Sequence, residues 1–388
     1  MSKLEIKTII LNTLFCFAST LMSVFVSVYL YVHADSLVLM TIYTIIRIAL
    51  FPPSFIIGSK ISKKYNFTVT YSIGLLLVTC SLLYILFGSK LFSVNKNLIL
   101  IAAFITGIGE GFYYFSSNTC NQVVSTAESR AKFLAYNGIF NNITCVLAPF
   151  VSNLIINKAS NDMVGYRRIL ILTVLIFLTV IATALTINKK SDDKDISILS
   201  VLSLKEKVWR DHQLAVFFYG FANSLSLTLT SMLIFNASKS GDTYSKLQIL
   251  FSIIAVISYR LISKRVNKEF IQKTYIVGLM IRITSTMFLV IFPNMFGAIY
   301  YGVANALASV FYDNTYNYLS ACIIGRHPDE MTARVVARET SLSLGRCIGM
   351  SFIVLCSYII PNDNYIKFSV ILLSLFPILV VKFLFNYK

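Results

Sequence analysis

Ionisable side chains set inside apolar runs are the groups of this 388-residue sequence that could do chemistry. Glu110 lies in the stretch G-I-G-E-G-F-Y-Y-F-S-S-N-T-C-N, from Gly107 to Asn121, near the middle of an apolar run from about 98 to 124. Asp313 lies within a second such run, 296–322, and Arg47 sits midway along a third, 37–57. Glu339 and Arg346 share a fourth, 335–360, seven residues apart and so on one helical face. An ionised group in hydrocarbon costs roughly 2.5 kcal/mol or more unless it faces protein or water. Each of these side chains must therefore look inward. A carboxylate so placed takes up and releases a proton as its surroundings open and close, and the competing role is a structural ion pair. Arg47 pairs with Glu110 if their helices are neighbours. Asp313, Glu339 and Arg346 are expected to cluster on adjacent helices, where Arg346 either binds an anionic group or is released when Asp313 is protonated. The same three charges could instead only hold the C-terminal half together. Arg282, in the run 274–292, is read as structural.

Amides and phenols accompany these charges. Asn118, Asn121, Asn223, Asn314 and Asn317, with Tyr113, Tyr114 and Tyr312, both donate and accept hydrogen bonds and are candidate ligand contacts. Bonding between helices is their alternative role. Gly107, Gly109 and Gly111 have no preceding strand and no G-K-[ST], which leaves close helix packing rather than a nucleotide loop. The seven cysteines fall in apolar runs without C-x-x-C or Cys/His spacing; they are read as small hydrophobes, and no metal is expected. His33, His212 and His327 are placed in loops, and no Ser/His/Asp set appears. Neither enzymatic activity nor a cofactor is expected.

The elements that position these groups follow from composition. With 56% hydrophobic and 13% charged residues and a mean hydropathy of +0.74, the chain has too few charges to cover a water-facing surface. It is expected to be an all-α integral membrane protein whose immediate partner is the lipid bilayer. Apolar runs of spanning length lie near 9–32, 37–57, 68–88, 98–124, 133–157, 168–187, 213–235, 246–262, 274–292, 296–322, 335–360 and 364–385. The first, preceded by Lys3 and Lys7, lacks a small-residue cleavage site and is read as a membrane helix. The net charge of +17 comes from Lys and Arg in short connections rather than on one continuous face, so nucleic acid is not an expected partner. These cations follow the even-numbered runs, which predicts cytoplasmic termini. Pro52, Pro53, Pro149 and Pro377 should bend runs two, five and twelve.

Internal repetition sets the larger organisation. Phe17-Ala18-Ser19-Thr20-Leu21 matches Phe221-Ala222-Asn223-Ser224-Leu225; Ile61-Ser62-Lys63-Lys64 matches Ile262-Ser263-Lys264-Arg265; and Asn118-Thr119-x-Asn121 matches Asn314-Thr315-x-Asn317. The separations are 204, 201 and 196 residues. Matches in one order at nearly one offset indicate duplicated six-helix halves of the same orientation, 1–187 and 213–388. They are joined by a cytoplasmic linker, 188–212, in which Ile198, Leu202 and Trp209 form either an interfacial helix or plain linker.

Twelve spans in two such halves resemble the major facilitator superfamily. Of its signature G-x-x-x-D-R/K-x-G-R/K between spans two and three, Gly58 and Lys63 match, whereas Ser62 replaces the acidic residue, Tyr65 the second glycine and Asn66 the following basic residue. Gly138 and Pro149 echo the Gly/Pro-rich fifth helix of exporters, and R-E-T-S-L-S-L-G-R, from Arg338 to Arg346, resembles facilitators of Gram-positive bacteria. The resemblance implies two pseudo-symmetric bundles, alternating access, and spans 1, 4, 7 and 10 lining a cavity, which would place Glu110 and Asp313 on cavity helices. It also implies a cytoplasmic gate at Gly58, Lys63, Lys64, Lys264 and Arg265, with the acidic latch missing or built from other groups. The expectation is a secondary active transporter in the bacterial cytoplasmic membrane, coupled to protons and moving a small organic or amphipathic solute, export favoured. A lipid or lipid-linked glycan flippase on the same fold is the alternative, and a non-transporting receptor a more distant one.

Overall fold

The structure is a computed structural model that describes residues 1–34, 36–88, 92, 95–125, 129–187, 206–238, 241–262, 271–361 and 364–385. Hydrocarbon offers no partner to a peptide group, so each apolar run closes its own backbone hydrogen bonds as a helix. The helices are α1 (Lys3–Ala34), α2 (Leu37–Ala49), α3 (Phe51–Lys64), α4 (Phe67–Phe87), α5 (Ile99–Val124), α6 (Arg130–Asn157) and α7 (Asp162–Ala184). The second half supplies α8 (Lys207–Ser238), α9 (Gly241–Ile262), α10 (Ile271–Ile291), α11 (Met295–Ile324), α12 (Met331–Ile359), α13 (Asn364–Leu375) and α14 (Pro377–Leu384). No strand occurs among the described residues.

Proline explains why, among the described residues, fourteen helices make twelve spans. Span two is divided at Leu50, where α3 restarts with Pro52 and Pro53 in its first turn, and span twelve is divided at Phe376 before Pro377. Pro149, by contrast, lies inside an unbroken α6. Among the described residues, ten helical stretches are long and apolar enough to cross a membrane. Side-chain caps start several of them: the Oδ1 atoms of Asn66, Asn161 and Asn294 accept from the N–H groups of Val69, Val164 and Gly297 at 3.1, 2.9 and 3.1 Å. Ser2 and Glu5 form a reciprocal capping box on α1, with Ser2 N donating to Glu5 Oε2 at 2.5 Å and Glu5 N to Ser2 Oγ at 3.1 Å.

Contacts divide the chain into two compact units, Met1–Ile198 with His327–Glu339, and Leu199–Arg326 with Thr340–Lys388. In the first, α5 lies between α2–α3 and α4, with α1 against α6 and α7. In the second, α11 packs on α10, α9 and α8. The outside is apolar: on α6, Ile139, Ile143, Leu147, Phe150 and Leu154 form an exposed stripe three to four residues apart, the face expected against lipid.

Two expectations change here. Trp209 does not lie on a separate interfacial helix; it is buried in the first turn of α8 and stacks on His212, 5.2 Å between ring centres. His212 is likewise in α8 rather than a loop, fully buried, its Nε2 2.9 Å from Ser320 Oγ. Ile198 and Leu202 lie outside the described residues.

Candidate functional site

Small residues first let the charged helices approach. A Cβ added at Gly107 would lie 2.5 Å from the Arg47 carbonyl, and one at Gly111 2.5 Å from Ser54 Cβ, so this face of α5 rests directly on α2 and α3. Gly109 faces the other way, where a Cβ would meet Gly74 O and Val78 N at 2.8 Å on α4. The alternation of glycines serves close packing on two sides. It also delivers Glu110, between two of them, to Arg47: Nε and Oε2 are 3.1 Å apart, with the carboxylate side chain 3% exposed. Neither atom makes an aligned hydrogen bond, so their attraction is Coulombic.

The second unit holds a different pair. Asp313 Oδ1 accepts from Tyr219 OH at 2.7 Å and from Arg282 Nη1 at 3.2 Å. Arg282 Nη2 donates to Asn223 Oδ1 at 3.2 Å, and the guanidinium lies 5.0 Å from the centre of the Tyr312 ring. Tyr219 stacks on Tyr316 at 3.7 Å, and Tyr275 packs on Tyr312 at 4.8 Å. Both donors to Asp313 converge on Oδ1; among the described residues Oδ2 accepts nothing. The Arg282 and Asp313 side chains remain 15% and 27% exposed.

This arrangement corrects the expected cluster. Asp313 is partnered by Arg282, which the sequence marks only as structural, and not by Arg346. Glu339 closes the segment of α12 that belongs to the first unit, and Arg346 lies farther along the same helix in the second. Tyr113 and Tyr312, expected as ligand contacts, are buried: Tyr113 stacks on Phe15 at 3.3 Å and packs edge-on to Tyr71 at 5.5 Å. Asn121 is held in an amide cluster, its Oδ1 accepting from Asn12 Nδ2 at 2.9 Å; Asn12 also donates to Asn137 Oδ1 at 3.1 Å and accepts from Ser117 Oγ at 3.0 Å. Asn118 is half-buried, and Asn314 and Asn317 are exposed. Asn12, Asn137 and Tyr219 join these sites without having been singled out by sequence, although each carries the signal that marks Asn121, a polar residue inside an apolar run. At the expected gate, Gly58 fits against Phe115 and Thr70, Lys63 is half-buried, and Lys64 is exposed with Nζ 5.3 Å from the Tyr65 ring centre. Ser62, where the signature has its acid, is buried and donates to Ser59 O at 3.1 Å. Lys264 and Arg265 lie outside the described residues.

Inside each unit the same aromatic scaffold recurs. Phe15, Tyr71 and Tyr113 in the first correspond to Tyr219, Tyr275 and Tyr312 in the second. A Cβ at Gly74 would meet Phe112 Cβ and Tyr113 N at 3.1 and 2.7 Å; one at Gly278 would meet Phe311 Cβ and Tyr312 N at 2.6 and 2.8 Å. Spans one and three thus repeat after 204 residues. Spans four and ten repeat after 199, not the 196 read from the Asn-Thr-x-Asn match, since Phe112-Tyr113 falls on Phe311-Tyr312. In this register Arg282 and Asp313 stand where the first unit has Val78 and Tyr114, and Glu110 stands where the second has Ser309.

Known proteins share this architecture. The YqgE protein of Bacillus subtilis (strain 168) is 23% identical over 368 residues, covering 93% of this chain and 84% of its own. Among solved structures, a D-xylose-proton symporter matches with a TM-score of 0.73 at 13% identity, covering 99% of this chain and 97% of its own. The E. coli fucose:proton symporter matches with a TM-score of 0.66 at 16% identity, covering 99% and 98%. The model of the Major Facilitator Superfamily matches residues 8–352, and with two units of repeated scaffold carrying charges inside membrane helices, this chain belongs to that superfamily of multi-pass membrane transporters.

Proposed function

We propose that this secondary transporter couples solute movement to protons through Asp313. The observation that carries the reading is the contrast between the two ion pairs. Glu110 is enclosed on α5 beside Arg47, whereas Asp313 keeps an unpartnered, accessible Oδ2 inside a membrane helix. A coupling carboxylate must exchange protons with a wet space, and of the two the Asp313 side chain is the more exposed, 27% against 3%. Tyr219 and Arg282 hold it in place, so protonation at Oδ2 would weaken the Arg282 contact without dismantling the site. Sugar-proton symporters among the structural neighbours support secondary transport as the class of activity.

The solute we assign is small and organic, with an amphipathic face in keeping with an interior rich in Tyr and Phe. The cations after even-numbered spans place both termini on the cytoplasmic side of the bacterial plasma membrane. The test is gradient-driven transport in proteoliposomes. Asp313→Asn should abolish the response to an imposed pH gradient while exchange of solute across the membrane continues. Full gradient-driven accumulation in that variant would sink the coupling role.

A further inference from the structure

Arg282 is a cation of the second unit with hydrogen-bonding capacity to spare. A guanidinium carries five N–H groups, and those not directed to Asp313 and Asn223 have no partner among the described residues. The Tyr312 ring lies beneath it at 5.0 Å, and the bonds to Asp313 and Asn223 hold the fork, whose remaining N–H groups suit carboxylate or phosphate oxygens. Beside it, Asp313 Oδ2 is open.

Charge balance then selects the ligand. As it stands the pair is neutral. Adding an anion alone would leave a net negative charge within the span, and a proton on Asp313 alone would leave a net positive one; both are costly there. An anion on Arg282 together with a proton on Asp313 Oδ2 restores neutrality. We propose that Arg282 is the receptor for a monovalent oxyanion, a carboxylate or a phosphodiester, that loads together with one proton on Asp313. This rests on the coupling role assigned to Asp313 and adds to it the class of solute.

The surroundings fit. Among the described residues, the titratable groups around the pair are Tyr219 from α8, Tyr275 from α10, and Tyr301, Tyr312 and Tyr316 from α11 itself. α9 meets α11 through Phe251 at Gly302. The corresponding positions of the first unit, Val78 and Tyr114, carry no charge, so the receptor is a property of the second unit alone.

Thermal unfolding of the purified full-length protein in detergent tests this. The soluble probes are benzoate and lactate, each against its amide; the lipid probes are phosphatidylglycerol against phosphatidylcholine. The expected result is a higher midpoint with a carboxylate and none with its amide, the apparent affinity rising by up to about tenfold per unit fall in pH, as uptake of one linked proton requires. Stabilisation by phosphatidylglycerol alone, with the same dependence on Arg282 and pH, would assign the oxyanion to a lipid headgroup. Arg282→Gln strands Asp313 and is apt to misfold, so Arg282→Gln/Asp313→Asn, which stays neutral, is the control; it should fold and lose the response. Three results would overturn the proposal: no stabilisation by any anionic probe, equal stabilisation by carboxylate and amide, or a carboxylate response that survives in the double variant. If any of these occurs while gradient-driven transport still requires Asp313, this inference fails and the coupling role stands.

Discussion

At the scale of single residues, the two ion pairs differ in what their removal should do. Glu110 has one charged neighbour at 3.1 Å and almost no exposure, so taking away Arg47 would leave a buried, uncompensated carboxylate. Arg47→Met is expected to destabilise the protein by about 3–5 kcal/mol, and Arg47→Met/Glu110→Gln to recover most of it. Denaturant unfolding in detergent micelles checks this, and equal losses in both variants would show that the pair contributes through something other than charge. The sequence marked Glu110, Asp313 and Arg47 by the cost of burying charge. It did not mark Arg282 as a functional candidate, because an arginine on a span not expected to line the cavity reads as structural until its neighbour is known. That neighbour is one helix away and 31 residues distant in sequence.

Between elements, the fit of α5 into its unit depends on backbone contact. Gly109→Ala places a methyl 2.8 Å from Gly74 O and Val78 N, and should cost about 1–3 kcal/mol as α4 and α5 are forced apart. A shift in thermal midpoint measures it; an unchanged midpoint would mean the helices separate freely. The amide cluster joins α1, α5 and α6 through three hydrogen bonds of Asn12. Such bonds average about 0.6 kcal/mol in membrane proteins, so Asn12→Ala should lose about 1–2 kcal/mol. Loss of transport without loss of stability would instead make the cluster a ligand contact. Asn121 and Asn317 looked equivalent in sequence, yet one is bonded between helices and the other is exposed. Their helices repeat in a register three residues away from the one the Asn-Thr-x-Asn pattern implied.

For the whole molecule, the cations between spans predict orientation. A green fluorescent protein fused to the C-terminus should fluoresce, and alkaline phosphatase at the same place should be inactive, because only the cytoplasmic side supports the first and suppresses the second. The opposite pattern would reverse every sidedness assigned to Lys63 and Lys64. Of the seven cysteines, Cys120 and Cys356 are buried in their helices.

What the sequence by itself determined was the solvent, the number of spans and the repeated halves. These depend on run length, on where proline interrupts a helix, and on the cost of charge in hydrocarbon, all of which are local or compositional. Only the tertiary structure decided which charge meets which, that Glu110 is enclosed while Asp313 stays open at Oδ2, and that Tyr113 and Tyr312 are buried against other rings. Those outcomes turn on the rotation and register of helices against one another, set by glycines and stacked rings whose partners lie tens of residues away.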